Sequence, residues 1–261
     1  MPTILNTIAA HAAYRVAQDK LRIPAQEMRE RALALGRGEG EAFRRALAEP
    51  GLSVICEVKK ASPSRGVIAE DFPYLDIARE YAAAGADAIS CLTEPKWFLG
   101  SDRVFAGIRA AVHTPMLRKD FVVDDYQLYQ SRCMGANAVL LICALHDTAL
   151  LKRRLALCEE LGLCALVETH DEGEIASAVA AGARVIGVNN RNLHDFTVDL
   201  GNAERLRALI PPDALYVAES GVQSAEQAQR LHRCGADAVL VGEALMRSTD
   251  RRGMLHAMKG A

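Results

Sequence analysis

Apolar and polar positions follow two rhythms along the chain, and the change comes near residue 50. Before it, Ile4, Ile8, Ala12 and Val16 recur at helical spacing with His11 and Arg15 beside them. Pro24 interrupts the pattern, which resumes over 28–35 and 41–47 and stops at Pro50-Gly51. This stretch is too short to bury a core of its own, so residues 1–50 are predicted to form a helical extension packed on a larger body. It either flanks that body or covers a substrate as a lid. After it, β-rich runs at 52–58, 86–92, 115–118, 136–142, 163–167, 184–188, 214–218 and 236–241 alternate with amphipathic helical patterns at 74–84, 102–112, 124–134, 148–161, 172–181, 202–210, 224–233 and 244–258. Such alternation calls for parallel strands, each followed by a crossover helix.

A repeat sharpens this reading. Ala84-Gly85-Ala86-Asp87-Ala88-Ile89, Met134-Gly135-Ala136-Asn137-Ala138-Val139, Ala181-Gly182-Ala183-Arg184-Val185-Ile186 and Cys234-Gly235-Ala236-Asp237-Ala238-Val239 each join a helix end to a strand through one glycine. Glycine takes up the left-handed conformation that caps a helix without steric cost, so the motif has a local mechanism. The four glycines stand about fifty residues apart, two strand-helix units of roughly 25 residues each, and precede the second, fourth, sixth and eighth strands. The predicted fold is a single α/β unit, a (β/α)8 TIM barrel over 51–261 with the extension joined to it as one domain. A doubly wound open sheet is the alternative.

Composition bounds the ligand. With 261 residues, half of them apolar, the chain can fill such a barrel. A net charge of -2, no lysine or arginine block and few aromatics argue against a nucleic-acid partner, so the ligand is expected to be small. No stretch reaches the ~18 uninterrupted apolar residues of a membrane span, and residues 1–16 lack the order of a secretion signal, so a cytoplasmic protein without a membrane partner is expected. The seven cysteines (56, 91, 133, 143, 158, 164 and 234) include no C-x-x-C pair and read as small buried hydrophobes in a reducing compartment.

In a barrel of this kind the site is built at the carboxyl ends of the strands. The first strand ends in Glu57, Lys59 and then Ser62, and period-2 alternation turns Glu57 and Lys59 to the same side. On its own that pair is equally a surface ion pair. The later strands end in Thr93 and Glu94; Arg118, Lys119 and Asp120; Cys143 and Ala144; Glu168 and His170; Asn189, Asn190 and Arg191; Glu219, Ser220 and Gly221; and Gly242 and Glu243. Glu94, Asp120 and His170, each taken alone, read as solvated loop charges. Ser220-Gly221 and Gly242, each ahead of a helix, suit a phosphate held by backbone N–H groups, although ordinary turn glycines look the same. The seven histidines show no metal-ligand spacing, and there is no G-x-G-x-x-G or Walker-type loop, so no metal or cofactor is expected. Catalysis would rest on Lys59 and Lys119 set among Glu57, Glu168 and Glu219, whose charges shift one another's proton affinities.

Six motifs in order, Glu57-Val-Lys-Lys-Ala-Ser-Pro-Ser-Arg-Gly66, Leu92-Thr-Glu94, Leu117-Arg-Lys-Asp-Phe121, Leu166-Val-Glu168, Gly187-Val-Asn-Asn-Arg-Asn-Leu193 and Ala218-Glu-Ser-Gly221, together resemble the indole-3-glycerol phosphate synthase family of tryptophan biosynthesis. The resemblance covers the whole chain. It implies ring closure of 1-(2-carboxyphenylamino)-1-deoxyribulose 5-phosphate to indole-3-glycerol phosphate, with loss of carbon dioxide and water and without a cofactor. Carried over, it makes Lys119 the general acid on the substrate carbonyl, Glu168 the acid/base group of the dehydration, and Lys59, beside Glu57, the second lysine and a contact of the substrate carboxylate. Asn189 and Glu219 would orient the anthranilate and sugar hydroxyls, Arg191 would pair a carboxylate, and Ser62, Ser220, Gly221 and Gly242 would hold the phosphate. Phe98 would be an aromatic wall for the ring. Some relatives carry a hydroxyl residue where this chain has Glu243, so the phosphate contact there falls to the backbone. The expected partner is a small phosphorylated substrate and the expected state a monomer, with other enzymes of the pathway left open. The alternatives are a Schiff-base aldolase using Lys119 or Lys59, phosphoribosylanthranilate isomerase, and a non-catalytic phosphate-binding barrel.

Overall fold

The computed structural model describes residues 3–192 and 195–260. Leu193, which closes the 187–193 motif, and His194 lie outside them. Strands β1 (Ser53–Val58), β2 (Ala88–Leu92), β3 (Met116–Lys119), β4 (Ala138–Ile142), β5 (Cys164–Thr169), β6 (Val185–Asn189), β7 (Leu215–Glu219) and β8 (Ala238–Val241) all pair in parallel, and β1 closes the ring against β8. Ile55 lies between Ala88 of β2 and Leu240 of β8, so no edge is left open there.

The repeat explains how helix passes into strand. Gly85, Gly135, Gly182 and Gly235 have φ of 85°, 75°, 90° and 92°, the left-handed turn the motif calls for. The polar residue two places on then ties down the neighbouring strand. Asp87 accepts from Val54 N–H (2.7 Å), Asn137 from Met116 N–H (2.9 Å) and Asp237 from Tyr216 N–H (2.7 Å). Arg184 has no such acceptor, and its carbonyl receives Leu215 N–H instead, at 2.9 Å.

Alternation sorts the strand residues into two layers. Val54, Cys56 and Val58 pack outward with Ile77, Tyr81 and Phe105 beneath the surrounding helices, while Ile55, Leu117, Leu140, Leu166, Val217 and Leu240 fill the barrel. Helix α1 (Ile4–Arg22) starts on a Thr3 cap, α2 (Ala25–Ala34) follows Pro24, and α3 (Gly40–Leu47) inserts Phe43 and Leu47, both fully buried, into the barrel's apolar interior. Each such side chain contributes roughly 1.5–3 kcal/mol by leaving water. Gly40 sits directly on the backbone of residues 162–164, where a methyl group would collide. Opposite, Leu5 of α1 joins the same interior cluster. The extension therefore touches the barrel interior through both α1 and α3.

Around the barrel run α4 (Tyr74–Ala83), α5 (Asp102–Ala111), α6 (Tyr126–Cys133), α7 (Thr148–Leu161), α8 (Glu172–Ala181), α9 (Gly201–Leu206), α10 (Ala225–Arg233), α11 (Glu243–Arg247) and α12 (Arg251–Lys259). The single helix predicted over 244–258 is broken. Asp250 turns its carboxylate onto Gly253 N–H (2.8 Å) and starts α12 afresh. The pattern over 202–210 gives α9 and then a 3-10 turn, Arg207–Leu209. Lys119 and Glu168, expected just past their strands, are inside them. Of the cysteines, 56, 91, 143 and 158 are buried, but Cys164 and Cys234 are half-buried and Cys133, near the end of α6, is exposed. No helix among the described residues is long and apolar enough to cross a membrane.

Candidate active site

The site follows from the same alternation. Glu57, Lys119, Glu168 and Glu219 each stand two residues after an interior aliphatic residue, Ile55, Leu117, Leu166 and Val217. They come from β1, β3, β5 and β7. In an eight-stranded barrel alternate strands contribute to one layer, so the four groups meet on top of the apolar filling. Between them, β2, β4, β6 and β8 bring Leu92, Ile142, Asn189 and Gly242 to the mouth. The cavity above measures about 1120 Å³ including its open mouth, and all twelve residues to which the resemblance gives a role line it.

Lys119 is the hub. Its Nζ donates to Glu219 Oε2 at 2.7 Å and to Glu168 Oε2 at 3.3 Å. Burial alone would lower its proton affinity, but Glu219, Glu168 and Glu57 outweigh it and hold the ammonium well above the ordinary lysine range. Glu168 is buried too, which disfavours its charge, yet Lys119, His170 and the Asn189 amide (Nδ2 to Oε1, 3.0 Å) keep its pKa below the usual value. Glu219 goes the other way. Burial, only partly countered by Lys119, and the nearby Glu168 charge push it up to about 7. Its Oε1 is buried and has no hydrogen-bond partner in the protein. The three-membered cluster thus holds an ammonium, an ionised carboxylate and a carboxyl that titrates near neutrality.

Glycines make the room. A methyl group on Gly187 would strike Glu219 Oε1, and one on Gly242 would strike Glu57 Oε1 and come within 2.9 Å of Lys59 Nζ. Lys59 Nζ donates to Glu57 Oε1, so the first-strand pair is an inward one, with Glu57 2% exposed, and not a surface ion pair.

Ser62 ends the first strand of a short antiparallel hairpin, in which Ala61 and Ser62 pair with Val67 and Gly66. Ser220 and Gly221 follow β7 with φ of 65° and 89°, and Gly242 stands directly before α11. Arg65 reaches from the hairpin to Glu243 (3.3 Å), which also meets Arg247 at 3.3 Å. Arg191 is half-buried at the rim, donating to Phe196 O at 3.2 Å. Phe98 lies 6.0 Å from Phe121, which sequence reasoning did not single out, and the two rings line one side. Ile4, Leu5 and Ile8 of α1 complete the lining.

Glu94, Asp120 and His170 are not solvated loop charges. Glu94 is fully buried and accepts the backbone N–H groups of Lys96, Trp97 and Phe98 at 3.1, 2.7 and 3.1 Å, fixing the loop that carries Phe98. Asp120, 2% exposed, accepts from Arg15 of α1 at 2.7 Å and from Thr93 at 2.8 Å, with Arg118 at 3.6 Å. His170 sits between Glu168 and Glu174. Among the described residues, no three His, Cys, Asp or Glu side chains are grouped to hold a metal ion.

Comparison with known proteins adds an independent line. A family model described as indole-3-glycerol phosphate synthase matches residues 5–258. Indole-3-glycerol phosphate synthases from Ruminiclostridium cellulolyticum and Endomicrobium trichonymphae are 49% and 46% identical, over 99% and 98% of this chain and 99% of each relative. That from Roseiflexus castenholzii is 44% identical over 100% of this chain and 99% of its own. Two solved structures share the fold at low identity. The Salmonella typhimurium 3-hexulose-6-phosphate synthase has a TM-score of 0.64 at 14% identity, covering 80% of this chain and 97% of its own. The Pyrococcus furiosus thiamine phosphate pyrophosphorylase has 0.61 at 15%, covering 80% and 94%.

Proposed function

Because the chain belongs to the indole-3-glycerol phosphate synthase family, we propose that the Lys119–Glu168–Glu219 cluster carries out the proton transfers of that family's reaction. The enzyme is a carboxy-lyase of tryptophan biosynthesis and acts on a small phosphorylated substrate, 1-(2-carboxyphenylamino)-1-deoxyribulose 5-phosphate, which it closes to indole-3-glycerol phosphate. The observation that carries the residue assignment is the Lys119 ammonium, half-buried and held by the carboxyl groups of Glu168 and Glu219 where alternate strands converge.

When the ring carbon attacks the ketone, negative charge grows on the carbonyl oxygen. An ammonium held in a low-dielectric site stabilises that charge and then donates its proton. Lys119 has this role. Carbon dioxide leaves as the ring regains aromaticity, and water leaves as the former carbonyl oxygen takes a second proton and the adjacent carbon gives one up. Glu168, ionised and oriented by Asn189, takes the proton from carbon. Lys59, steadied by Glu57, contacts the substrate carboxylate and is the other candidate acid. Asn189 and Glu219 orient the anthranilate and sugar hydroxyls, with Glu219 Oε1 available to a substrate donor. Phe98 walls the ring, Arg191 pairs a carboxylate, and Ser62, Ser220, Gly221 and Gly242 hold the phosphate. No cofactor enters the cycle. We treat the extension and barrel as one domain, and the enzyme as a cytoplasmic monomer with no nucleic-acid or membrane partner.

The raised proton affinity of Lys119 weighs against a Schiff-base aldolase, whose lysine must lose its proton to attack. Exchange of Glu168→Gln keeps the side-chain volume and the Asn189 contact but removes the base. Turnover, followed by indole-3-glycerol phosphate fluorescence, is expected to fall by ~10² to 10⁴-fold. Turnover within about threefold of wild type would remove Glu168 from the mechanism.

A further inference from the structure

Behind Glu168, on the side away from Lys119, the structure has a second route to solvent. His170 Nδ1 is 3.1 Å from Glu174 Oε2, which also accepts His170 N–H at 2.8 Å, so the ring is held from one side. Its other nitrogen, Nε2, lies 3.5 Å from Glu168 Oε1 and is buried without a hydrogen-bond partner in the protein. His170 and Glu174 line a separate cavity that meets the main one at Leu5, Asn189 and Arg191. Glu174 keeps a fifth of its side chain in water.

We infer that Glu174 and His170 form a proton path that refills the acid–base cluster from solvent through Glu168. The inference rests on Glu168 acting in proton transfer, as proposed above. The stoichiometry of the reaction supplies the need. With the substrate carboxylate ionised, carbon dioxide leaves without a proton, two protons are placed on the carbonyl oxygen to make water, and one comes back from carbon. Each turnover therefore consumes one proton that the cluster must draw from outside. Along the path, the imidazolium Nε2–H goes to Glu168 Oε1 and the carboxyl so formed returns a proton to the Lys119 amine, 3.3 Å from Glu168 Oε2. His170, left neutral, is reprotonated from solvent by way of Glu174.

Several charges act on the ring. Glu168 faces it from β5, Glu174 from α8 and Glu219 from β7; Asp171 is next to it in the chain, and Arg191, Asp199 and Arg205 stand across the second cavity. Burial disfavours the imidazolium, but the hydrogen bond to Glu174 and the charges of Glu168, Glu174 and Glu219 outweigh it and raise the histidine pKa above its ordinary value. As a positioning and relay group His170 never touches substrate.

The test uses the full-length enzyme with His170→Ala, which leaves space for a small imidazole. The expected result is a kcat lowered by at least ~10-fold with KM within about twofold, and a larger solvent deuterium isotope effect on kcat. Imidazole in the buffer should restore kcat, better at pH values where it is protonated and in graded fashion across substituted imidazoles of differing pKa. In the Glu168→Gln background His170→Ala should add nothing. An unchanged kcat in His170→Ala, or a loss that imidazole does not repair and that leaves the isotope effect unaltered, would overturn the relay; the second result would mean a structural role. If Glu168→Gln alone keeps normal turnover, the reading of Glu168 fails first and takes the relay with it.

Discussion

Gly187→Ala tests whether the cluster is built by packing. A β-carbon at position 187 would overlap Glu219 Oε1 and lie 3.2 Å from both Glu219 Cδ and Leu166 Cδ1. A free carboxylate would swing aside at little cost. This one is 1% exposed, with its other oxygen held by Lys119 at 2.7 Å, so avoiding the overlap means moving the carboxylate by on the order of 1 Å and stretching that bond. Overpacking of this kind costs roughly 1–3 kcal/mol, less the ~0.5–1 kcal/mol that alanine regains over glycine in a strand. Misplacement by ~1 Å near the reacting centre lowers turnover by about 10²-fold. Steady-state kcat from product fluorescence and urea unfolding at pH 7 measure both effects. Gly187→Ala/Glu219→Asp, with a shorter acid, should regain stability without regaining activity. If Gly187→Ala has wild-type kcat and stability, the proximity of Glu219 to the strand glycine does not constrain the site.

Other consequences are more local. Arg15→Ala strips the buried Asp120 of its partner on α1 but leaves Thr93 and Arg118, so a loss of about 1–3 kcal/mol in urea unfolding is expected. Because α1 carries Ile4, Leu5 and Ile8 into the cavity, KM should rise more than kcat falls; an unchanged KM would detach α1 from substrate binding. Glu219 gives stability a pH dependence. Its folded-state pKa, about 7, is raised from an ordinary 4.5, so it favours the fold fully below pH 4.5 and that contribution is lost as pH rises through 7, on the order of 3 kcal/mol in all. Glu168, depressed by its neighbours, acts in the opposite sense below its ordinary value, and His170, raised above 6.5, loses its own contribution above that pH, so Glu219 is separated by difference against a variant. The difference in unfolding free energy between wild type and Glu219→Gln, measured from pH 4.5 to 8, should drift in favour of the variant as pH rises, and a flat difference would contradict the assignment.

The barrel and the layer of charge were legible because both obey short periods. Gly85, Gly135, Gly182 and Gly235 repeat a local cap, and Glu57, Lys119, Glu168 and Glu219 each sit two residues past an inward aliphatic position, a spacing that a strand turns into a shared face. What the sequence hid was long-range or steric. Arg15 and Asp120 are 105 positions apart, so no periodicity links them, and a carboxylate after a strand looks like any loop charge until its partner arrives. Glu94 is buried because it caps its own loop, a geometry set by the chain's course after β2. Gly187, inside an apolar run, carries no mark of the carboxylate it makes room for. The break before α12 did leave a sign, the Ser248-Thr249-Asp250 run ahead of Gly253, but the helical pattern on either side outweighed it.

The central claim is that Lys119 is the proton donor at the reacting carbonyl, and kcat of Lys119→Ala with the synthetic substrate tests it most directly. The fold should be intact, since Glu168 and Glu219 can take up protons in place of the missing ammonium. Turnover at saturating substrate is expected to fall by at least ~10²-fold while unfolding remains cooperative. A well-folded Lys119→Ala enzyme that produces indole-3-glycerol phosphate at close to the wild-type rate would contradict the account.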